Sequence, residues 1–340
     1  MDTEGTDDSD TETSPTSGAT ATMSATDSVD DSGTDPTAMT ASGGGDKCPQ
    51  LQELLLPTVP TIQLVVDGSG SMDEDFEPMV TRWEAMESSL VGGDGVVTEL
   101  QSQIRFGVSL YRNPQMTTGM CPDVTTLTPQ LDAADEITAL LANTQPAGDT
   151  PTGESLVIAT QTLLDDMWEG DKVLVLATDG EPDTCENPDA EMGPALKMSR
   201  AVATDAVTAA FDAGIRTFVI SVGADVAADH LQELANAGLG NQPGDADAPF
   251  WVANDTASLV TAFSEIVAGI RPCTFPLSMP LADGLAPTCE VTVNGDAVPY
   301  QDANGWDLPD PSTLELAGDS CAQIQTGVAT VEMTCACEAP

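Results

Sequence analysis

Apolar and polar positions follow two different rhythms along this chain. Between residues 60 and 272, short apolar runs alternate with stretches of helical spacing. Thr61-Ile-Gln-Leu-Val-Val66 and Lys172-Val-Leu-Val-Leu-Ala-Thr178 are nearly continuous apolar runs, and each leads into Asp-Gly. Each reads as a strand buried on both faces that stops in a tight loop. Further strands are expected over 104–111, 216–221 and 250–252. Val80, Trp83, Met86 and Leu90 recur at helical spacing and predict a helix over 77–90. Other helices are expected over 131–141, 152–167, 195–213, 226–236 and 258–270. Gly214 and Gly238 read as stops just past two of them. Asn113-Pro114 ends the second strand, and a long loop is expected through Cys121.

Strands that alternate with helices imply βαβ units. The expected fold class is therefore α/β: a doubly wound, mostly parallel, Rossmann-like sheet with helices on both faces, spanning about 48–272. The rhythm changes after Arg271. No basic residue occurs from Pro272 to Pro340, and short β-like runs appear at 290–293, 313–316 and 329–333. Asn294-Gly295 is a hairpin turn signal. Five of the eight cysteines lie from Cys273 onward. Residues 273–340 are read as a small disulfide-rich β unit, with an irregular packed tail as the alternative. Residues 1–46 hold neither Lys, Arg nor aromatic residues. They bury too little to offset chain entropy and are expected to be a disordered acidic Ser/Thr-rich spacer.

Charge narrows the partners. Of 340 residues, 56 are acidic and 9 basic, a formal net charge of -47. Such a surface repels nucleic acid and anionic lipid and favours cations. No apolar run is long enough to span a bilayer, so no transmembrane segment is expected. The sequence opens without a basic, apolar export signal. Even so, eight cysteines beside one histidine fit disulfides in an oxidising compartment better than a zinc site. An extracellular or cell-surface location is expected, with any signal or lipid anchor lying upstream of Met1.

The candidate chemistry sits where the two apolar strands end. In an open α/β sheet, loops at the carboxyl ends of the strands gather at the topological switch point. This can bring Asp67 and Asp179 together, and two neighbouring carboxylates either share a proton or need a cation. Asp67-Gly-Ser69-Gly-Ser71 adds hydroxyls at alternate positions of one loop. These are hard oxygen ligands suited to Mg2+, with Mn2+ or Ca2+ as alternatives.

The pattern resembles the metal-ion-dependent adhesion site of von Willebrand A and integrin I domains. The matching stretches are Leu64-Val-Val-Asp67-Gly-Ser69-Gly-Ser71-Met72, Gly148-Asp-Thr150-Pro-Thr-Gly153 and Ala177-Thr-Asp179-Gly-Glu-Pro182. The resemblance covers about 48–272. It implies metal coordination by Ser69, Ser71 and, in some states, Thr150, with Asp67 and Asp179 acting directly or through water. It further implies a protein ligand that offers a carboxylate to the metal, in a binding or adhesion module and not an enzyme. Asp149, before the site threonine, is a departure that adds a carboxylate. The run Thr178-Asp-Gly-Glu-Pro-Asp-Thr-Cys185 with a cysteine-rich C-terminal unit resembles secreted or surface-lipoprotein A-domain proteins of bacteria. A Mg-dependent hydrolase or phosphatase is one alternative, since paired carboxylates also serve phosphoryl chemistry. Against it, Ser69 stands where an Asp-x-Asp pattern needs its second acid. A structural surface protein with a fold-stabilising metal is the other alternative.

Cys121 and Cys185 both fall in rim loops and are expected to pair. Domain ends lie close together, which suggests Cys48 with Cys273 and leaves Cys289, Cys321, Cys335 and Cys337 to pair among themselves. His230 is expected at the surface. Phe250, Trp251 and Phe263 are expected in the core, and Trp306 as an anchor of the small unit. Asp245 and Asp247 are expected in a solvated loop.

Overall fold

The computed structural model describes residues 51–55, 58–113, 121–190, 192–326 and 329–335. The leader 1–46, Cys48, Cys337 and the loop 114–120 lie outside the described residues.

In chain order the elements begin with β1 (Leu51–Leu55), β2 (Thr61–Asp67), β3 (Asp75–Glu77) and β4 (Val80–Thr81). Then come α1 (Arg82–Val91), α2 (Val96–Leu100), β5 (Arg105–Arg112), β6 (Asp123–Gln130), α3 (Ala134–Ala142) and α4 (Thr152–Asp165). They continue with β7 (Lys172–Thr178), α5 (Gly193–Asp212), β8 (Arg216–Val222), α6 (Ala228–Leu239), β9 (Trp251–Ala253) and α7 (Thr256–Ile270). The last group is β10 (Thr274–Pro276), β11 (Cys289–Val293), β12 (Asp296–Val298), β13 (Trp306–Asp310), β14 (Thr313–Leu316), α8 (Gly318–Thr326) and β15 (Val331–Cys335).

The main sheet has the order β6-β5-β2-β7-β8-β9 and is parallel except where β6 runs against β5. Alternation along β2 explains the layers. Ile62, Leu64 and Val66 face one core with α1, α2, α3 and α7, whereas Val65 faces the other with α4, α5 and α6. Both faces are covered, so β2 is buried at every position.

Several elements depart from the sequence expectation for local reasons. The helix expected from Glu77 begins at Arg82. Glu77 precedes Pro78, which disfavours helical backbone. Met79 then takes a φ of 69° at the tip of the β3–β4 ribbon. Thr81 closes a reciprocal cap with Glu84, which fixes the true start. The edge strand β6 was not expected, because Asp123-Val-Thr-Thr-Leu-Thr-Pro-Gln130 carries little apolar periodicity. Gly238 lies inside α6, not past it. A side chain there would clash with the Thr217 carbonyl, and Gly240, with φ 73°, ends the helix instead.

His230 is a correction: it is buried, at 1% exposure. It shares a face of α6 with Leu234 and Gly238. Neither ring nitrogen finds a hydrogen-bond partner among the described residues, and the nearest acid, Glu233, stands 3.7 Å away. Phe263 is core, Phe250 and Trp251 are half-buried against the two cores, and Asp245 and Asp247 are exposed.

Beyond α7 the strands form two small sheets, β1-β15-β11-β12 and β10-β14-β13, around a third core that includes Trp306. The Asn294-Gly295 turn joins β11 to β12 with φ 52° and 86°. Strand β1 pairs with β15 and so belongs to this sheet, not to the α/β sheet in which 48–272 would place it. The expected Cys121–Cys185 disulfide is present. The expected Cys48–Cys273 bond is overturned, because Cys273 joins Cys321. Strand β10 already pairs with β14, and α8 follows β14 at once, which brings Cys321 to Cys273. Cys289 joins Cys335 across β11 and β15. Arg271, buried just past α7, donates to the Gln325 carbonyl and to the Gln103 side chain, tying α8 to the turn that follows α2.

Burial holds the His230 imidazole below its ordinary value, despite the Glu181 and Glu233 carboxylates nearby. The unfolded chain therefore binds a proton that the folded chain resists. Stability from this residue is present above the ordinary histidine value and is lost as pH falls through it. Urea midpoints of His230→Leu between pH 7.5 and 5 should fall less steeply than those of the wild type; parallel curves would contradict this account.

Candidate functional site

Strands β2 and β7 are neighbours, and β5 lies on the far side of β2, so successive parallel strands are added to opposite sides of β2 and the strand order reverses there. Asp67 is the last residue of β2, and Asp179 follows the last residue of β7. The two carboxylates meet at the carboxyl edge with no exposed surface. Their ionisation shows the conflict. Burial pushes Asp67 up, although Thr178, Ser69 and Tyr111 hydrogen bonds oppose the shift. Burial and the Asp67 charge push Asp179 up to about 7, although Arg82 pulls it down.

Each acid is oriented by named groups. The Thr178 hydroxyl donates to Asp67 Oδ2 at 2.6 Å, and the Tyr111 hydroxyl lies 3.3 Å from the same oxygen. Asp67 Oδ1 accepts the Ser69 backbone N–H at 2.8 Å, closing the loop back on itself. Ser69 Oγ and Ser71 Oγ are 3.1 Å apart, and Ser71 Oγ donates to Asp179 Oδ1 at 2.8 Å. The other Asp179 oxygen accepts from Arg82 at 2.8 Å.

The third segment comes in through the backbone. Gly70 N–H donates to the Gly148 carbonyl at 3.0 Å, and Ala147 N–H to the Gly68 carbonyl at 2.9 Å. Asp183 then fixes Thr150, accepting its N–H at 3.2 Å while its own N–H donates to the Thr150 carbonyl at 2.8 Å. Gly180 shows where the groups converge. A methyl group built on it would lie 3.7 Å from Thr150 Oγ1 and 3.8 Å from Ser71 Oγ. The structure thus brings all five expected residues, Asp67, Ser69, Ser71, Thr150 and Asp179, to one place. Asp149 is held by Asn113, whose side chain donates to it at 3.0 Å, and the two backbones bridge.

Two buried carboxylates and three hydroxyls are hard oxygen donors, of the kind that could hold a hard cation. Among the described residues no group of three or more His, Cys, Asp or Glu side chains gathers in this way. Hydroxyls make up the difference here, which points away from soft metals.

Tyr111, Thr178 and Arg82 were not singled out from the sequence. Thr178 stands in the Thr-Asp-Gly run, and Tyr111 pairs with Asp67 across β2 and β5, so strand register would have found it. The rim loop after Asp179 is braced twice. Arg200 holds Glu181 through two nitrogens, and the Cys121–Cys185 bond ties the loop to the β5–β6 connection.

Thr178→Val keeps the shape and removes the donor to Asp67. A buried acceptor that loses a partner costs about 1–3 kcal/mol. Urea unfolding should show a loss of that size; an unchanged midpoint would remove Thr178 from the site.

A family model described as the von Willebrand factor type A domain matches residues 61–260. Among solved structures, the PilB minor pilin from Streptococcus sanguinis is similar at 19% identity and TM-score 0.48, over 62% of this chain and 60% of that chain. The pilus adhesin SpaC from Lactobacillus rhamnosus GG, in an open conformation, is similar at 14% identity and TM-score 0.49, over 82% of this chain and 38% of that chain. The manganese-loaded TRAP protein of Plasmodium vivax is similar at 17% identity and TM-score 0.44, over 73% of this chain and 90% of that chain. This chain thus spans 60% of the pilin structure's length. Among curated proteins, none matches.

Proposed function

The chain belongs to the von Willebrand factor type A domain family, and we propose that it is a divalent-metal-dependent, adhesion-type protein-binding module. The observation that carries this reading is the linked set of Asp67, Ser69, Ser71 and Asp179, with Ser71 and Thr150 converging on Gly180. Ser69, Ser71 and Thr150 would hold Mg2+ or Mn2+, with Asp67 and Asp179 acting directly or through water. The bound ion would offer an open position to a carboxylate oxygen of a partner protein.

The residues around the ion do the rest. Thr178 and Tyr111 hold Asp67 in place, Asp183 holds the Thr150 loop, and the Cys121–Cys185 bond limits movement of the rim. Rigid supports of this kind keep ligand oxygens in register. Ser69 in place of a second acid favours binding over phosphoryl transfer. The disulfides support a location outside the reducing cytosol. Among the described residues no helix is long and apolar enough to cross a membrane.

Titration calorimetry with Mg2+ and Mn2+ on the full chain should show one saturable site beyond the weak background of surface acids. Asp67→Ala/Ser69→Ala should abolish it, and equal isotherms would refute the site. Gly180→Ala offers a gentler check. Its methyl group makes only ordinary contacts, so stability should hold, while it fills the cradle and should weaken metal binding about tenfold or more.

A further inference from the structure

Arg82 sits at the first position of α1, where the helix dipole disfavours a cation. Its side chain is only 10% exposed, so the guanidinium also loses hydration. Its Nε–H finds no partner among the described residues, and it lies against Gly223, where a methyl group would be 3.4 Å away. Neither the helix nor the packing rewards this placement. What holds it is charge. One guanidinium nitrogen donates to Asp179 Oδ2 at 2.8 Å, the other pairs with Asp225, and Glu74 stands 3.6 Å off.

These three acids are not equivalent. The Asp225 and Glu74 side chains are 62% and 65% exposed, so water screens them. Asp179 is fully buried, so its charge and that of Arg82 act at close range in a poorly screened place. Arg82 also divides the Asp179 carboxylate: Oδ2 is held by the guanidinium, and Oδ1 is turned to Ser71 and the cradle. With both acids ionised, as a bound divalent ion would keep them, the two carboxylates and the guanidinium sum to one negative charge. A divalent ion would turn that into one positive charge, whereas without Arg82 the loaded centre would be neutral.

We propose that Arg82 is a positioning and specificity-determining residue of the metal site, which weakens metal binding and in return leaves the loaded centre cationic, so that it takes an anionic oxygen from its partner. This rests on the metal-site reading above. A guanidinium that shares Asp179 competes with the metal for that acid. The same positive charge draws a carboxylate to the open position of the ion. The two effects have opposite signs, which separates them from a general loss of structure.

The test uses Mn2+ alone and then Mn2+ with acetate, on the full chain. Mn2+ affinity is read by calorimetry, and water-proton relaxation reports whether acetate displaces water from the bound ion. Asp67→Ala supplies the background. Arg82→Met should bind Mn2+ about tenfold more tightly, since a competing unit charge is gone, and should lose the response to acetate. Arg82→Lys should resemble the wild type in both. If Arg82→Met does not fold, Arg82→Gln takes its place with the same expected signs. In chelator, without metal, the thermal midpoint of Arg82→Met should drop, and adding Asp179→Asn should recover most of the loss. Equal or weaker Mn2+ binding in a folded Arg82→Met protein, or no recovery in the double variant, overturns the role of Arg82 alone. Wild type binding no more Mn2+ than Asp67→Ala would sink the metal-site reading, and this inference with it.

Discussion

Two carboxylates are buried side by side at the end of the central strands, and much of the local architecture answers that burden. Asp67 and Asp179 cannot both ionise cheaply in a dry place. Their surroundings compensate in several ways. Hydroxyls from Thr178, Tyr111 and Ser71 donate to them, a backbone N–H from Ser69 closes on one, and Arg82 neutralises the other. This explains why the site residues come from three loops. One loop alone could not provide enough donors without burying unmatched polar groups.

The rest of the fold keeps those loops still. The parallel strands β2 and β7 are buried on both faces and set the spacing of the two acids. Helices α1 and α4 start at the same edge and deliver Arg82 and the Thr150 segment. The rim is further tied by the Arg200–Glu181 pair and by a disulfide between Cys121 and Cys185. Such bracing matters where ligand oxygens must stay within a fraction of an ångström of their places.

The C-terminal sheets follow a different logic. Their core is small, centred on Trp306, Phe275 and the inward residues of β11 and β15. A unit with so little to bury gains from covalent ties, and two disulfides run through it. It also recruits the residues that precede the α/β sheet, since β1 lies beside β15. The chain therefore leaves this sheet early, builds the α/β layer, and returns.

What could be read from the residues was whatever repeats locally or is written in one short run. Apolar runs and helical spacing gave the α/β class and the approximate place of nearly every long element, because strand and helix periods are properties of neighbouring residues. Asp67, Ser69, Ser71 and Asp179 stood out because turns at strand ends are marked by Gly and by oxygen-bearing side chains, whereas Thr150 was found only through the family resemblance of its segment. Other features depend on partners far along the chain and were decided only by tertiary structure. The polar edge strand β6 exists because β5 offers it hydrogen bonds. His230 is buried because α6 turns that face to the sheet. Cys273 pairs with Cys321 because β10 runs beside β14. Arg82 becomes part of the site because the fold sets it beside the second oxygen of Asp179, 97 positions away.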